Sequence, residues 1–165
     1  MPTSPAPKPP APKPPAQLTE NDLHGVVGYR LAQAAVVTTR VFAAVVGSVS
    51  ELRPVEFTML ALVQANPNVT ARQLARELAV TPPNITVWLD RLEARGLVTR
   101  SRGEADARLQ HIHATPAGAA LARQATRRLL DGERDALTAL STAERAMLVE
   151  LLDKVALARK RSLAR

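Results

Sequence analysis

Side chains able to do chemistry are few in this sequence, and they are scattered. His111 and His113 stand two apart on a segment with strand character, so they share a face and offer two imidazoles to a metal. No third ligand stands near them, because the local acids, Glu104 and Asp106, belong to a polar hairpin tip. The pair therefore reads as a polar strand face, and no metal or other cofactor is expected. The seven glycines form no phosphate-cradling loop, and no Ser-His-acid or Glu-x-x-His pattern appears at a telling spacing. The absence of cysteine from all 165 residues excludes a disulfide framework, a Cys-based zinc site and a thiol switch. No convergent acid, base or metal set is left, which argues against an enzyme.

Binding chemistry is more evident. Lys and Arg number 22 against 15 Asp and Glu, a net charge of +7, so a polyanion is a natural partner. Aromatic residues are only 2%, too few for a single-strand stacking platform. The informative feature is a pair of short helices expected at 70–79 and 81–95, whose tight Val80-Thr81 joint fits a helix-turn-helix. On the second helix, Ile85, Trp88, Leu89 and Leu92 cluster on about a third of the circle and should be core. Pro83, Asn84, Thr86, Val87, Asp90 and Arg91 then face outward.

A helix entering the major groove presents its first turns to base edges. Asn84 suits adenine, Thr86 and Val87 suit thymine methyls, and Asp90 can accept from cytosine. The amides near Thr81 and Asn84 can hold a phosphate. An ordinary amphipathic helix fits the same residues. The following hairpin shifts the balance, because Arg100, Arg102 and Arg108 lie near its tip, where a wing meets backbone or minor groove. Asp106 is expected to pin Arg108 in position, and Arg72 adds a phosphate contact from the preceding helix.

These groups need elements to position them. Eight of the thirteen prolines fall in the first fifteen residues, with Ala-Pro-Lys-Pro-Pro repeated, so residues 1–17 read as a solvated polyproline-II spacer with no apolar signal core. Residues 19–50 read as one long helix with Leu23, Val27, Leu31, Ala34, Thr38, Val41, Val45 and Leu52 on one stripe. It is apolar nearly all round, which calls for burial on several sides and suggests a second subunit. No apolar run reads as long enough to span a bilayer, and no membrane partner is expected. Pro54 starts a second helix that ends near Asn66. Thr70/Gln73 and Ser141/Glu144 are capping boxes, Thr81-Pro82 and Thr115-Pro116 are helix starts, and Gly96 is a stop. Strands are expected at 97–101 and 108–114, then a helix to about Leu140. A last helix carries a stripe of Met147, Leu148, Leu151, Leu152 and Val155. The basic end, Arg159 to Arg161 and Arg165, complements that helix's dipole.

In this order and spacing the chain resembles the MarR family of transcription regulators. The matching runs are Gly28-Tyr29-Arg30-Leu31, Glu56-Phe57-Thr58-Met59-Leu60, Leu74-Ala75-Arg76-Glu77-Leu78 and Thr81 to Thr86. They continue with Asp90 to Val98, Asp106-Ala107-Arg108 and Thr115-Pro116-Ala117-Gly118. The resemblance implies a mainly α winged helix-turn-helix of six helices with a small β-hairpin wing, dimeric through its N- and C-terminal helices. The expected segments are a tail (1–17), a dimerisation helix (18–53), a DNA-binding domain (54–115) and C-terminal dimerisation helices (116–165). It also implies a cytoplasmic, nucleoid-associated homodimer that binds double-stranded DNA, acts as a repressor, or less often an activator, of nearby genes and is released by a small aromatic or phenolic effector. The effector pocket is expected between helices one, two and five, with His24 and Tyr29 as first-helix candidates. Val87 stands where many relatives carry a polar or basic residue, and Ala114 replaces the usual Leu before Thr115. Two rivals stay open: a winged helix that binds protein without reading DNA, and a small-molecule enzyme on a helical dimer.

Overall fold

A computed structural model of the chain describes residues 20–102 and 109–162. The expected proline-rich spacer (1–17), Asp106 and Arg108 lie outside those residues, as do Arg165 and the side chains of Arg159, Lys160 and Arg161. The chain divides into two units, the first ending at Ala35 and the second beginning at Val36. The first holds a single 3-10 turn, Asn21–Gly25, and the beginning of α1 (Val27–Phe42). The helix expected from residue 19 is interrupted at Val26, whose backbone is extended (φ −83°, ψ 107°).

Beyond Phe42 the helix continues through a π-helical stretch, Ala43–Gly47, and a last turn, Ser48–Ser50. A π turn takes an extra residue into each hydrogen-bonded ring and so rotates the following side chains. Phe42, just before this stretch, and Val46 within it face inward, whereas the expected Val41 and Val45 are only half-buried. Leu23, Val27 and Leu31 are exposed. The continuous helical span Val27–Ser50 has 24 residues and a mean hydropathy of 1.5, long and apolar enough to cross a membrane. That corrects the sequence expectation: Arg30 and Arg40 are too widely spaced to interrupt the apolar average.

The second unit contains α2 (Pro54–Ala65), α3 (Ala71–Leu78), α4 (Pro82–Ala94), α5 (Pro116–Ala136) and α6 (Thr142–Ser162). Strands β2 (Val98–Arg102) and β3 (Gln110–Ala114) form the hairpin, with Val98 opposite Ala114 and Arg102 opposite Gln110. A third strand, β1 (Val69–Thr70), pairs with β3 on its other side, giving the antiparallel order β1-β3-β2. One core joins α2, α3, α4, α5 and the sheet: Met59 and Leu60 of α2, Leu74 of α3, Ile85, Leu89 and Leu92 of α4, Ala122 of α5, and Val98 and Ile112 of the sheet.

Local chemistry sets the helix ends. Thr70 Oγ1 accepts from the Gln73 amide (3.3 Å) while Gln73 Oε1 accepts from the Thr70 amide (2.8 Å). Ser141 and Glu144 repeat that exchange, and the Ser141 hydroxyl and amide hold the Glu144 carboxyl below the usual carboxylate range. Helix α5 stops at Ala136, short of the expected Leu140. On α6 the stripe Met147, Leu148, Leu151, Leu152 and Val155 is uncovered within one chain.

The hairpin's base is fixed at α5. Thr115 accepts from the Gly118 amide (3.0 Å) and donates its hydroxyl to the Gly96 carbonyl (2.7 Å), and its amide donates to the Leu97 carbonyl (3.1 Å). A Cβ on Gly118 would stand 1.9 Å from that Leu97 oxygen. No rotamer relieves a clash with backbone. We expect Gly118→Ala to cost about 3 kcal/mol in urea unfolding, at the upper end of ordinary overpacking. Ala79, at φ 54° after α3, presents the opposite case. Ala79→Gly should gain about 0.5–1 kcal/mol in the same measurement, because Gly adopts that left-handed conformation without penalty.

Candidate nucleic-acid interface

The joint between α3 and α4 is built by Ala79 in the left-handed conformation (φ 54°, ψ 43°), with the Val80 amide bonded to the Ala75 carbonyl (3.1 Å). Thr81 is extended (φ −72°, ψ 147°) and starts α4, but its hydroxyl makes no capping bond. Ile85, Leu89 and Leu92 are buried and Trp88 is half-buried, so the inward face is the one the periodicity predicts. Pro83, Asn84, Thr86, Val87, Asp90 and Arg91 are all exposed on the other side. Thr86 donates its hydroxyl to the Pro82 carbonyl (3.3 Å), which ties the polar group and leaves the methyl untied.

The start of α4 is poorer in donors than expected. Pro82 and Pro83 carry no N–H, and the Asn84 amide donates to the Thr81 carbonyl (3.1 Å). The Asn84 amide is therefore not available to a phosphate in this conformation, and anion contacts at this end fall to side chains.

Three expected or neighbouring arginines are committed to the protein itself. Arg100 follows Val98 by two on β2, so it lies on the face that packs against α4. There it reaches Asp90 (2.5 Å) and Glu93 (3.3 Å), and Asp90 accepts from it as a hydrogen-bond partner. Two residues expected to face DNA thus face each other. Arg91 lies 3.6 Å from Glu56, a buried acid whose other oxygen accepts from the Arg53 amide (3.0 Å). Arg95 donates to the Ser50 carbonyl (2.7 Å). By contrast Arg72, in the first turn of α3, and Arg102, at the end of β2, are exposed and have no partner among the described residues.

The two strand histidines brace the sheet. His111 Nδ1 lies 2.7 Å from the Asn68 carbonyl and so carries the proton there, and His113 Nε2 pairs with Ser101 Oγ (2.8 Å). Asn68 takes φ 59°, which turns the chain into β1.

Helices α1, α2 and α5 form an open cavity of about 220 Å³, lined by Thr38, Thr39 and Phe42, by Pro54, Phe57 and Thr58, and by Leu129 and Glu133. His24 and Tyr29 do not line it. They belong to a cluster in the first unit: Tyr29 donates to Glu20 (3.1 Å), Arg30 pairs with Glu20 (2.7 Å), and His24 contacts Arg30. Arg30, then Tyr29, holds the Glu20 carboxyl below its ordinary range, and Glu20 in turn raises the Tyr29 phenol. The lining residues Thr38 and Thr58 had a sequence signal, a hydroxyl among apolar helix positions, whereas Glu133 had none that separates it from other surface acids. A larger recess of about 450 Å³ lies between α2 and α3, but Asn66 and Gln73 in its wall are spent on local bonds.

The Asp90–Arg100 contact is open to direct measurement. Exposed pairs contribute roughly 0–1 kcal/mol, and Arg100, with a side chain 24% exposed, sits at the favourable end. A double-mutant cycle with Asp90→Ala and Arg100→Ala should return a coupling of about 0.5–1 kcal/mol in urea unfolding. Zero coupling would mean that the pair does not hold the wing to α4.

The MarR family profile matches residues 52–109, a span that runs from the start of α2 into the wing. A protein of Thauera aromatica described as a transcriptional regulatory protein for the hcr operon is 27% identical over 139 residues, 84% of each chain. The solved structure of the transcriptional repressor CouR bound to a 23-mer DNA duplex is 31% identical, with a TM-score of 0.77, covering 86% of this chain and 99% of that one. Apo MarR of E. coli is 25% identical, with a TM-score of 0.66, covering 78% and 96%. These relatives are transcriptional regulators rather than enzymes. An exposed helix face on a helix-turn-helix, a two-stranded wing beside it and likeness along most of the chain lead to one assignment: this protein belongs to the MarR family of winged-helix transcriptional regulators.

Proposed function

We propose that the chain acts as a homodimeric repressor that reads a pseudo-palindromic operator with α4 and the wing and is released by a small effector. The observation that carries this reading is the contiguous exposed face Pro83, Asn84, Thr86 and Val87 on a helix whose other side is locked into the core. Asn84 and the methyl groups of Thr86 and Val87 suit base edges. Arg72 and Arg102 are the cations best placed for phosphates, joined by Arg91, and by Arg108, with Asp106 positioning it, at the wing tip. Thr81 and Pro83 border the groove, and Asp90 and Arg100 contribute as a pair that orients the wing. The DNA-bound state of CouR supports the same use of this fold.

A dimer is supported by apolar side chains left uncovered on both terminal segments, Val36 and Val37 on α1 and Leu148, Leu151 and Leu152 on α6. On this reading segments 18–53 and 116–165 dimerise and 54–115 binds DNA, the two copies presenting α4 about 34 Å apart, one helical turn of DNA. Action on the chromosome in the cytoplasm follows from that reading. An effector shifts this equilibrium only by binding one dimer arrangement more tightly than the other. The cavity between α1, α2 and α5 is its site in this proposal.

Fluorescence anisotropy on DNA from upstream of the protein's own gene tests the reading. Arg72→Ala should weaken all DNA binding and lower the salt slope by about one. Asn84→Ala should cost about 1–3 kcal/mol on the operator and leave non-specific affinity unchanged. Equal losses on both DNAs, or a stable monomer in sedimentation, would remove the sequence-reading dimer.

A further inference from the structure

We infer that the cavity between α1, α2 and α5 selects a single-ring aromatic molecule bearing a cationic or hydrogen-bond-donating nitrogen, and rejects aromatic carboxylates. This rests on the effector reading above and adds the chemistry of the ligand. Size comes first. An enclosed cavity of roughly 150 Å³ holds benzene, so the walled part of this open site, about 220 Å³, has room for one ring and a short substituent. The apolar wall is aromatic: Phe42 and Phe57 lie with ring centroids 5.8 Å apart and planes tilted by 53°.

Two of the polar groups, the Glu133 carboxylate and the Thr58 hydroxyl, ask for donors. None of the described lining residues is Lys, Arg or His. Glu133 is half-buried, and its carboxylate has no ion-pair partner among the described residues. The Thr58 hydroxyl donates to the Pro54 carbonyl (2.9 Å), so its proton is committed and its oxygen is left to accept. A carboxylate ligand would bring a second negative charge beside Glu133 with no cation to offset it. An ammonium or amidinium group would instead pair with Glu133, and the Phe rings favour a cation over an anion.

The test is calorimetric titration of the full chain with benzylamine, benzyl alcohol and benzoate, which share a ring and differ in charge. Wild type should bind benzylamine most tightly and benzoate at least about tenfold more weakly, a difference of about 1.4 kcal/mol. Glu133→Gln, close to isosteric, should erase most of that preference while leaving benzyl alcohol affinity and the melting temperature unchanged. Benzoate binding as well as or better than benzylamine would overturn the inference and leave the effector reading standing. A benzylamine preference unaltered by Glu133→Gln would overturn it too, because the amine then sits elsewhere. Failure of all three probes at millimolar concentration would overturn the effector reading of the cavity and this inference with it.

Discussion

The carbonyl oxygen of Leu97 occupies the space where any side chain on Gly118 would have to be. That close approach joins the wing to the helix that lines part of the cavity. On one side of it, Gly96 at φ 66° ends the turn after α4 and feeds β2. On the other, Thr115 caps α5 while bonding back to Gly96 and Leu97. The base of the wing therefore cannot move independently of the first turn of α5. Leu129 and Glu133, which line the cavity, lie on that same helix. If the proposed effector occupies that cavity, a rigid helix clamped at one end to the wing and contacting the ligand further along is a short physical route between the two sites. It requires no long relay through side chains.

Charge on the α4 surface is arranged to hold shape before it is arranged to attract DNA. Arg91 over Glu56, Arg95 on the Ser50 carbonyl, and Arg100 between Asp90 and Glu93 pin this helix to α2, to the end of the α1 span and to the wing. Removing Glu56 would strip Arg91 of its partner and the Arg53 amide of its acceptor together. The cost is that fewer positive charges remain free. On the proposed reading non-specific affinity then rests on Arg72, Arg102 and Arg108, with Arg91 shared with Glu56, so the excess of seven charges in the sequence overstates what this face alone offers.

Much of the fold was legible because its punctuation is local. Thr70 with Gln73, Ser141 with Glu144, Pro54, Thr115 and Gly96 each act within one turn, and each stands where the sequence places it. The inward face of α4 was legible for the same reason, since a period of 3.6 needs no knowledge of the partner. What escaped is non-local. Strand β1 is two residues long and exists only through pairing with Ile112 and His111. The π stretch after Phe42 rotates the inner face of the helix without a Gly or Pro in its first residues to announce it. The partners of Arg91 and Arg100 lie on other elements, and residue type alone says only that they are charged. The cavity walls were hidden because nothing in the residue types of Phe42 and Phe57 separates a cavity wall from ordinary core.

The helical span Val27–Ser50 satisfies the length and hydropathy that a bilayer demands, and the same numbers describe a helix waiting for a protein partner. Three features separate the cases. Arg40 sits exposed in the span, where lipid would penalise it and a partner's polar edge or water would not. Phe42 and Val46 pack against Ala125 and Leu129 of α5, so the later turns belong to the core that carries the cavity. On α6 the uncovered apolar residues alternate with Glu150, Asp153 and Lys154, a pattern suited to a helix with one partnered side. Both terminal segments thus lack a covering surface of the same kind, and both are attached to the module that bears α4. In the dimer proposed above, a second copy of the chain supplies apolar faces to match both at once, and in covering them it fixes the separation of the two recognition surfaces.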